Sequence, residues 1–151
     1  MKKRFFVLFA AACVLVLGSC SGGADVWSFS LGMLIRGEPS DIAKEEAGLG
    51  GKDLSGIIGV SGYRGWTALG NLSMVWTDQD SAGYASIKSW LTAILGAGFT
   101  VDKSKTTPEE TVEIASYAGK FSCELRFTKT DTGDGSAKIP AGVIRVWFSR
   151  N

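Results

Sequence analysis

The strongest hydrophobic pattern in the chain is a strict alternation over residues 121–129, FSCELRFTK. Its apolar side chains occupy every second position, which places them on one face of an extended strand and the polar side chains on the other. Other segments rich in β-branched and aromatic residues predict further strands at 72–77, 99–103 and 143–149.

The main helix is predicted between the first two of these strands. Its apolar residues recur at helical spacing and form one stripe: Tyr84, Ile87, Trp90, Leu91, Ile94 and Leu95. Asp78 can cap this helix, Asp80 adds negative charge to its first turn, and Gly96 ends it. The stripe predicts that Trp90 is a core residue.

Residues 108–118 allow two interpretations. Thr107-Pro108-Glu109-Glu110 has the form of a capping box with proline at the first helical position, so the segment can be helical throughout. The preferred interpretation is a single turn and then a strand over 111–117, because Tyr117-Ala118-Gly119-Lys120 is typical of a hairpin turn.

Residues 71–151 are therefore expected to form an α+β core in the order β-α-β-β-β-β. One main amphipathic helix packs on an antiparallel sheet of about four to five strands, and the alternation indicates that only one sheet face is fully buried. An alternative is a split β-α-β arrangement that takes an additional strand from residues 54–60.

Residues 25–70 are harder to assign, and we call them the glycine-aromatic segment. Val26, Trp27 and Phe29 fit a strand or a helix equally well. Pro39-Ser40-Asp41 favours a helix start with one or two turns after it. Residues 48–70 contain eight glycines, yet they are too apolar for a linker. We expect a loop-rich segment that packs on the core, with a strand at 56–60.

The N-terminus carries a different hydrophobic pattern. Three basic residues are followed by thirteen apolar ones at 5–17 and then by small residues. Thirteen residues rise about 20 Å as a helix, whereas the hydrocarbon core of a bilayer is about 30 Å thick. The pattern is therefore typical of a secretory signal rather than a permanent membrane span.

The end of this signal, Leu17-Gly18-Ser19-Cys20, resembles the lipobox of bacterial lipoproteins. The resemblance implies that residues 1–19 are cleaved and that Cys20 receives a lipid, followed by a short tether up to residue 24. It also implies membrane attachment through diacylglycerol and fatty acid such as palmitate. Ser21 after Cys20 suits the outer membrane, on its periplasmic or surface face, if the cell is Gram-negative.

The signal changes the cysteine count and the charge. Cys13 leaves with it and lipid occupies Cys20, so Cys123 is expected to be the one free thiol and a small buried hydrophobe. Loss of the three N-terminal basic residues leaves 13 basic against 15 acidic residues, a net charge of about −2. A nucleic-acid partner is therefore not expected.

Catalysis and metal binding have little support in the composition. The chain contains no histidine, which removes Ser-His-Asp and Cys-His chemistry and disfavours a catalytic zinc site. Asp131-Thr132-Gly133 matches three residues of the aspartic-protease motif, but a glycine-rich loop explains it better. We expect no catalytic residues, no metal and no cofactor.

Aromatic residues beside cations form the candidate binding surface: Tyr63, Arg64, Trp66, Arg145 and Trp147. Such pairs suit a glycan, a peptide or an envelope protein as partner. Alternatively, residues 24–70 cover the far sheet face as a second small core. The sequence thus predicts a non-catalytic binding lipoprotein of the bacterial envelope. The alternatives are an accessory subunit of an envelope complex, docked through the glycine-aromatic segment, and an enzyme that works without histidine.

Overall fold

The computed structural model describes residues 38–67, 72–135 and 138–151. The predicted signal, Cys20 and the apolar cluster at 26–35 lie outside these residues. The described helices are α1 (Asp41–Glu46), α2 (Ser55–Ile58) and α3 (Ser81–Leu95). The described strands are β1 (Tyr63–Thr67), β2 (Ser73–Trp76), β3 (Thr100–Val101), β4 (Glu110–Tyr117), β5 (Phe121–Thr128) and β6 (Val143–Arg150).

The strands form one antiparallel sheet in the order β1-β2-β6-β5-β4-β3. The predicted α+β class is confirmed, with one long helix packed on an antiparallel sheet. The five predicted strands correspond to β2 through β6, and β1 adds a further strand at one edge. The last strand of the chain, β6, lies between β2 and β5 and so joins the two halves of the open sheet.

One face of the sheet, here called the core face, packs against the helices. It is built from alternate strand residues that are fully buried, including Met74, Trp76, Cys123, Leu125, Ile144 and Val146. Ile87 and Leu91 of α3 pack into this cluster, as do Leu49, Leu54 and Ile57 of the glycine-aromatic segment. Because apolar area removed from water is the main stabilising contribution, this cluster is the principal source of stability.

Helix α3 is capped by Asp80, so the assignment of the cap to Asp78 was wrong, while the helix ends at Gly96 as predicted. Asp78 has φ 58°, and its side chain instead accepts a hydrogen bond from Thr77 Oγ1 at 2.8 Å. The side chain of Asp80 accepts a hydrogen bond from Gly83 N at 2.8 Å, and Gly96 ends the helix at φ 65°. Trp90 is 39% exposed, so its assignment to the core was wrong. It lies about 100° around the helix axis from Leu91, at the margin of the stripe, where the sheet no longer covers it.

Of the two elements predicted in the glycine-aromatic segment, the helix is confirmed and the strand is wrong. Helix α1 forms as expected, with Ser40 Oγ accepting a hydrogen bond from Ala43 N at 3.2 Å. The strand predicted at 56–60 is wrong, and with it the alternative strand from 54–60, because Ser55–Ile58 is helical. Leu54 and Ile57 stand three residues apart, so a helical turn directs both into the core.

Residues 108–118 are not helical, so the preferred interpretation of a strand is confirmed. Thr107 Oγ1 accepts a hydrogen bond from Glu110 N at 3.1 Å, which is the bond of a capping box. The chain nevertheless extends from Glu110, because all eight residues of β4 pair with β5. Ala118 and Gly119 have φ of 49° and 71° and make the predicted hairpin turn.

Candidate functional site

The sheet surface opposite the helices, here called the far face, carries most of the charged side chains of the strands. By register it presents Glu110, Val112, Glu124, Arg126, Arg145, Trp147 and Ser149. The helices and loops of the glycine-aromatic segment at residues 38–62 pack on the core face instead, and β1 is part of the sheet. Among the described residues, the second small core expected on the far face is therefore not formed by residues 38–62.

Two arginines stand directly opposite each other at the centre of the far face. Arg126 on β5 pairs in register with Arg145 on β6, a juxtaposition of like charges that is unfavourable by itself. The Glu110 carboxylate bridges them: Oε2 accepts from Arg126 Nη1 at 3.1 Å, and Oε1 accepts from Arg145 Nη2. The carboxylate thus offsets the repulsion and fixes both guanidinium groups.

A second carboxylate extends this network down the sheet. Glu124 Oε1 accepts from Arg126 Nε at 2.6 Å, and its Oε2 accepts from Lys105 Nζ, also at 2.6 Å. Partial burial alone would raise the pKa of Glu124, but these two cations outweigh it and hold the pKa below its usual value. Glu124 is therefore ionised at neutral pH and keeps Arg126 oriented.

Trp147 lies against the same two cations. The guanidinium carbons of Arg126 and Arg145 are each 5.4 Å from its ring centroid, within the range of cation–π attraction. Burial lowers the pKa of Arg145, and the charge of Glu110 partly offsets that effect. The guanidinium of Arg145 is therefore held between an aromatic ring and a carboxylate.

A cavity of about 570 Å³ opens above this arginine pair. Glu110, Arg126 and Arg145 line it from the sheet, with Thr107 and Glu109 on one side and residues 131–134 and Ile139 on the other. Cavities between about 300 and 1,000 Å³ are usual for small ligands. Nearly all of its lining side chains are polar, so it suits a polar ligand.

Contacts within the loop stabilise the wall that it forms on one side of the cavity. Asp131 Oδ1 accepts a hydrogen bond from Ala141 N at 2.9 Å, and its Oδ2 lies 2.5 Å from Lys138 Nζ. Thr132 and Ile139 form a β-bridge across the loop. Asp131, the residue of the protease-like motif, thus holds the two sides of the loop together through local contacts.

The five residues of the predicted binding surface do not share one face. Arg145 and Trp147 lie together on the far face, as described above. Tyr63 packs on the core face, where its ring centroid is 5.7 Å from that of Trp76. Trp66 pairs in register with Met74, a core-face position, and the side chains of Arg64 and Trp66 lie outside the described residues.

The sequence interpretation missed the residues that join Arg145 to a cavity. Arg126 and Glu110 come from two other strands, and their pairing depends on a register that no local pattern reveals. One signal was present: the alternation in 121–129 already placed Arg126 on the polar face. Glu109 and Asp134, which line the cavity, carried no such signal.

Other candidate chemistry in the described residues is structural. Cys123 is fully buried, and burial raises the pKa of its thiol, so it packs as an apolar residue. No cluster of metal-ligating side chains occurs in residues 38–67, 72–135 and 138–151. Within the same part of the chain, each helix is too short or too polar to span a bilayer.

No protein-family model matches the chain, and neither a curated protein nor a solved structure matches it. The residues of the far face and the N-terminal sequence are therefore the features from which a function can be inferred.

Proposed function

We propose that the protein is a lipid-anchored lipoprotein of the bacterial envelope and that its domain is a non-catalytic binding module. The observation that carries the binding proposal is the far-face cavity. There an ion-paired arginine pair and several carboxylates surround one opening of about 570 Å³. The volume lies in the range of small-molecule sites, in which placed polar groups fix the orientation of the ligand.

The anchor is proposed from the N-terminal sequence. The basic start, the apolar stretch at 5–17 and Leu17-Gly18-Ser19-Cys20 occur together in the order that lipoprotein processing requires. Two or more acyl chains hold a protein stably at a membrane, whereas one chain does so only marginally. We propose the outer membrane, on its periplasmic or surface face, if the organism is Gram-negative.

Binding is favoured over an accessory role in a larger complex by the placement of the glycine-aromatic segment. An accessory subunit that docks through this segment needs its apolar residues at the surface. Among the described residues of the segment, Leu49, Leu54 and Ile57 are instead at most 1% exposed and belong to the protein's own core, whereas Ile42 is 73% exposed. A catalytic role has no comparable support, since the chain has no histidine and its far-face carboxylates Glu110 and Glu124 are ion-paired with arginine.

Metabolic labelling with a palmitate analogue tests the anchor. The wild-type protein should incorporate the label and fractionate with membranes, while Cys20→Ala should lose both properties. Cys123→Ala is the matched control and should be labelled like the wild type, because Cys123 is buried in the core. A labelled Cys20→Ala protein, or an unlabelled wild type released in soluble form, would contradict the proposed anchor.

A further inference from the structure

The charges around the far-face cavity do not all neutralise one another. Four carboxylates line it, of which Glu110 pairs with both arginines and Asp131 with Lys138. Glu109 and Asp134 have no ion-pair partner within the described residues. These two exposed carboxylates give one part of the cavity a net negative charge.

The same cavity also offers donors to an anionic group. Arg126 is held by Glu124 through Nε and by Glu110 through Nη1. Its Nη2 makes no hydrogen bond to any residue of the described ranges. The Arg126 side chain is 27% exposed, so these N–H groups remain accessible to solvent and to a ligand. A guanidinium oriented in this way suits a carboxylate.

From this arrangement we infer that the cavity takes a small zwitterion, of the chemical class of a free amino acid or a short peptide with both termini charged. The carboxylate of the ligand would bind Arg126, and its ammonium group would bind Glu109 and Asp134. The volume of about 570 Å³ accommodates a ligand of that size. This inference rests on the proposed binding function and specifies its ligand.

Two other ligand classes fit the cavity less well. A sugar usually stacks on an exposed aromatic ring, but Trp147 does not line the cavity and two guanidinium groups already lie against it. A purely anionic ligand would face four carboxylates against two guanidinium groups. A ligand that carries both charges satisfies both parts of the cavity at once.

To test this, the purified mature protein in detergent micelles is titrated with peptide probes, and the binding affinity is measured by calorimetry or NMR. The probes are tri-alanine with free termini, its C-terminal amide, its N-acetyl derivative and the doubly blocked form. We expect the free tripeptide to bind best. Each blocked terminus should weaken binding by about tenfold, because it removes one charge-assisted hydrogen-bonding group.

Two variants assign each terminus to its partner. Arg126→Gln should abolish the difference between the free peptide and its amide while keeping the penalty of acetylation. Asp134→Asn should reduce the penalty of acetylation, with Glu109 still present, while keeping the full penalty of amidation. Because Asp134 is exposed, this variant tests the inferred ligand even if Arg126→Gln does not fold. Ser149→Ala, on the far face outside the cavity, is the control and should bind like the wild type.

Equal affinity for all four probes, or no binding of the free tripeptide, would overturn the inferred ligand class. Such a result combined with normal labelling at Cys20 would leave the lipoprotein proposal intact. Conversely, charge-dependent peptide binding by a protein that is not labelled at Cys20 would support the ligand class and contradict the anchor.

Discussion

Replacing Trp76 by alanine is expected to lower the free energy of unfolding by about 3–5 kcal/mol, the usual range for deleting a buried aromatic side chain. Trp76 is fully buried at the centre of the core face. Its Nε1 donates a hydrogen bond to the carbonyl oxygen of Ile57 at 3.2 Å, which ties helix α2 to strand β2. The substitution therefore leaves a cavity and removes one of the donors to the Ile57 carbonyl, which still accepts a hydrogen bond from Val60 N at 3.3 Å. Urea denaturation followed by circular dichroism measures the loss.

Trp90→Ala is the matched control for this experiment. Trp90 is 39% exposed on helix α3, so its loss should cost no more than about 1 kcal/mol. Trp76→Phe keeps most of the apolar ring but loses the N–H donor, and it should fall between the two at about 1–2 kcal/mol. Equal destabilisation by Trp76→Ala and Trp90→Ala would contradict the described core.

Gly62→Ala is expected to lower the free energy of unfolding by roughly 3 kcal/mol. Gly62 has φ +81°, and an added Cβ would lie 2.0 Å from the carbonyl oxygen of Thr77. That oxygen cannot move freely, because it accepts a hydrogen bond from Gln79 Nε2 at 2.8 Å. The backbone must therefore shift where the chain enters β1. Thermal and urea denaturation both report the change.

Gly51→Ala separates the two causes of this effect. Gly51 has a similar φ of +70°, but no atom lies within 4 Å of its added Cβ. Its replacement by alanine should lower the free energy of unfolding by only about 1 kcal/mol, the cost of a left-handed backbone conformation. If Gly51→Ala and Gly62→Ala destabilised the protein equally, the close approach of Gly62 to Thr77 would be incorrect.

The elements from residue 71 onward could be predicted because local signals agree there. Strand β5 alternates strictly, α3 has its cap and its final glycine, and the hairpin before β5 has a glycine at positive φ. The order of strands in the sheet could not be predicted in the same way. The position of β6 between β2 and β5 depends on contacts between residues far apart in the chain.

The errors in the glycine-aromatic segment fall where short apolar runs meet glycines. Ser55–Ile58 contains apolar residues that fit a strand or one helical turn, and packing of Leu54 and Ile57 on the core decides for the helix. Strand β1 contains Gly65 and an irregularity in its register, so its sequence lacks a clear alternation. Periodicity also could not show where the sheet stops covering α3, and therefore could not predict that Trp90 is exposed.

The polar-face positions of both arginines were predictable, but their pairing was not. Arg145 and Trp147 alternate with the apolar residues of β6, so a polar face was evident from the sequence. The cavity could not be predicted from local patterns, because Glu110 is 16 residues from Arg126 and 35 from Arg145 along the chain. Only the paired strands bring these charges together, and residues 131–134 with Ile139 then form one side of the cavity.

The central claim about function is that the mature protein begins at a lipidated Cys20. Its most direct test is mass spectrometry of the N-terminal peptide of the protein isolated from its own membrane. The account predicts a peptide that starts at Cys20 and carries a thioether-linked diacylglycerol, with or without an acyl chain on the amino group. A peptide that starts elsewhere, or an unmodified Cys20, would contradict the account.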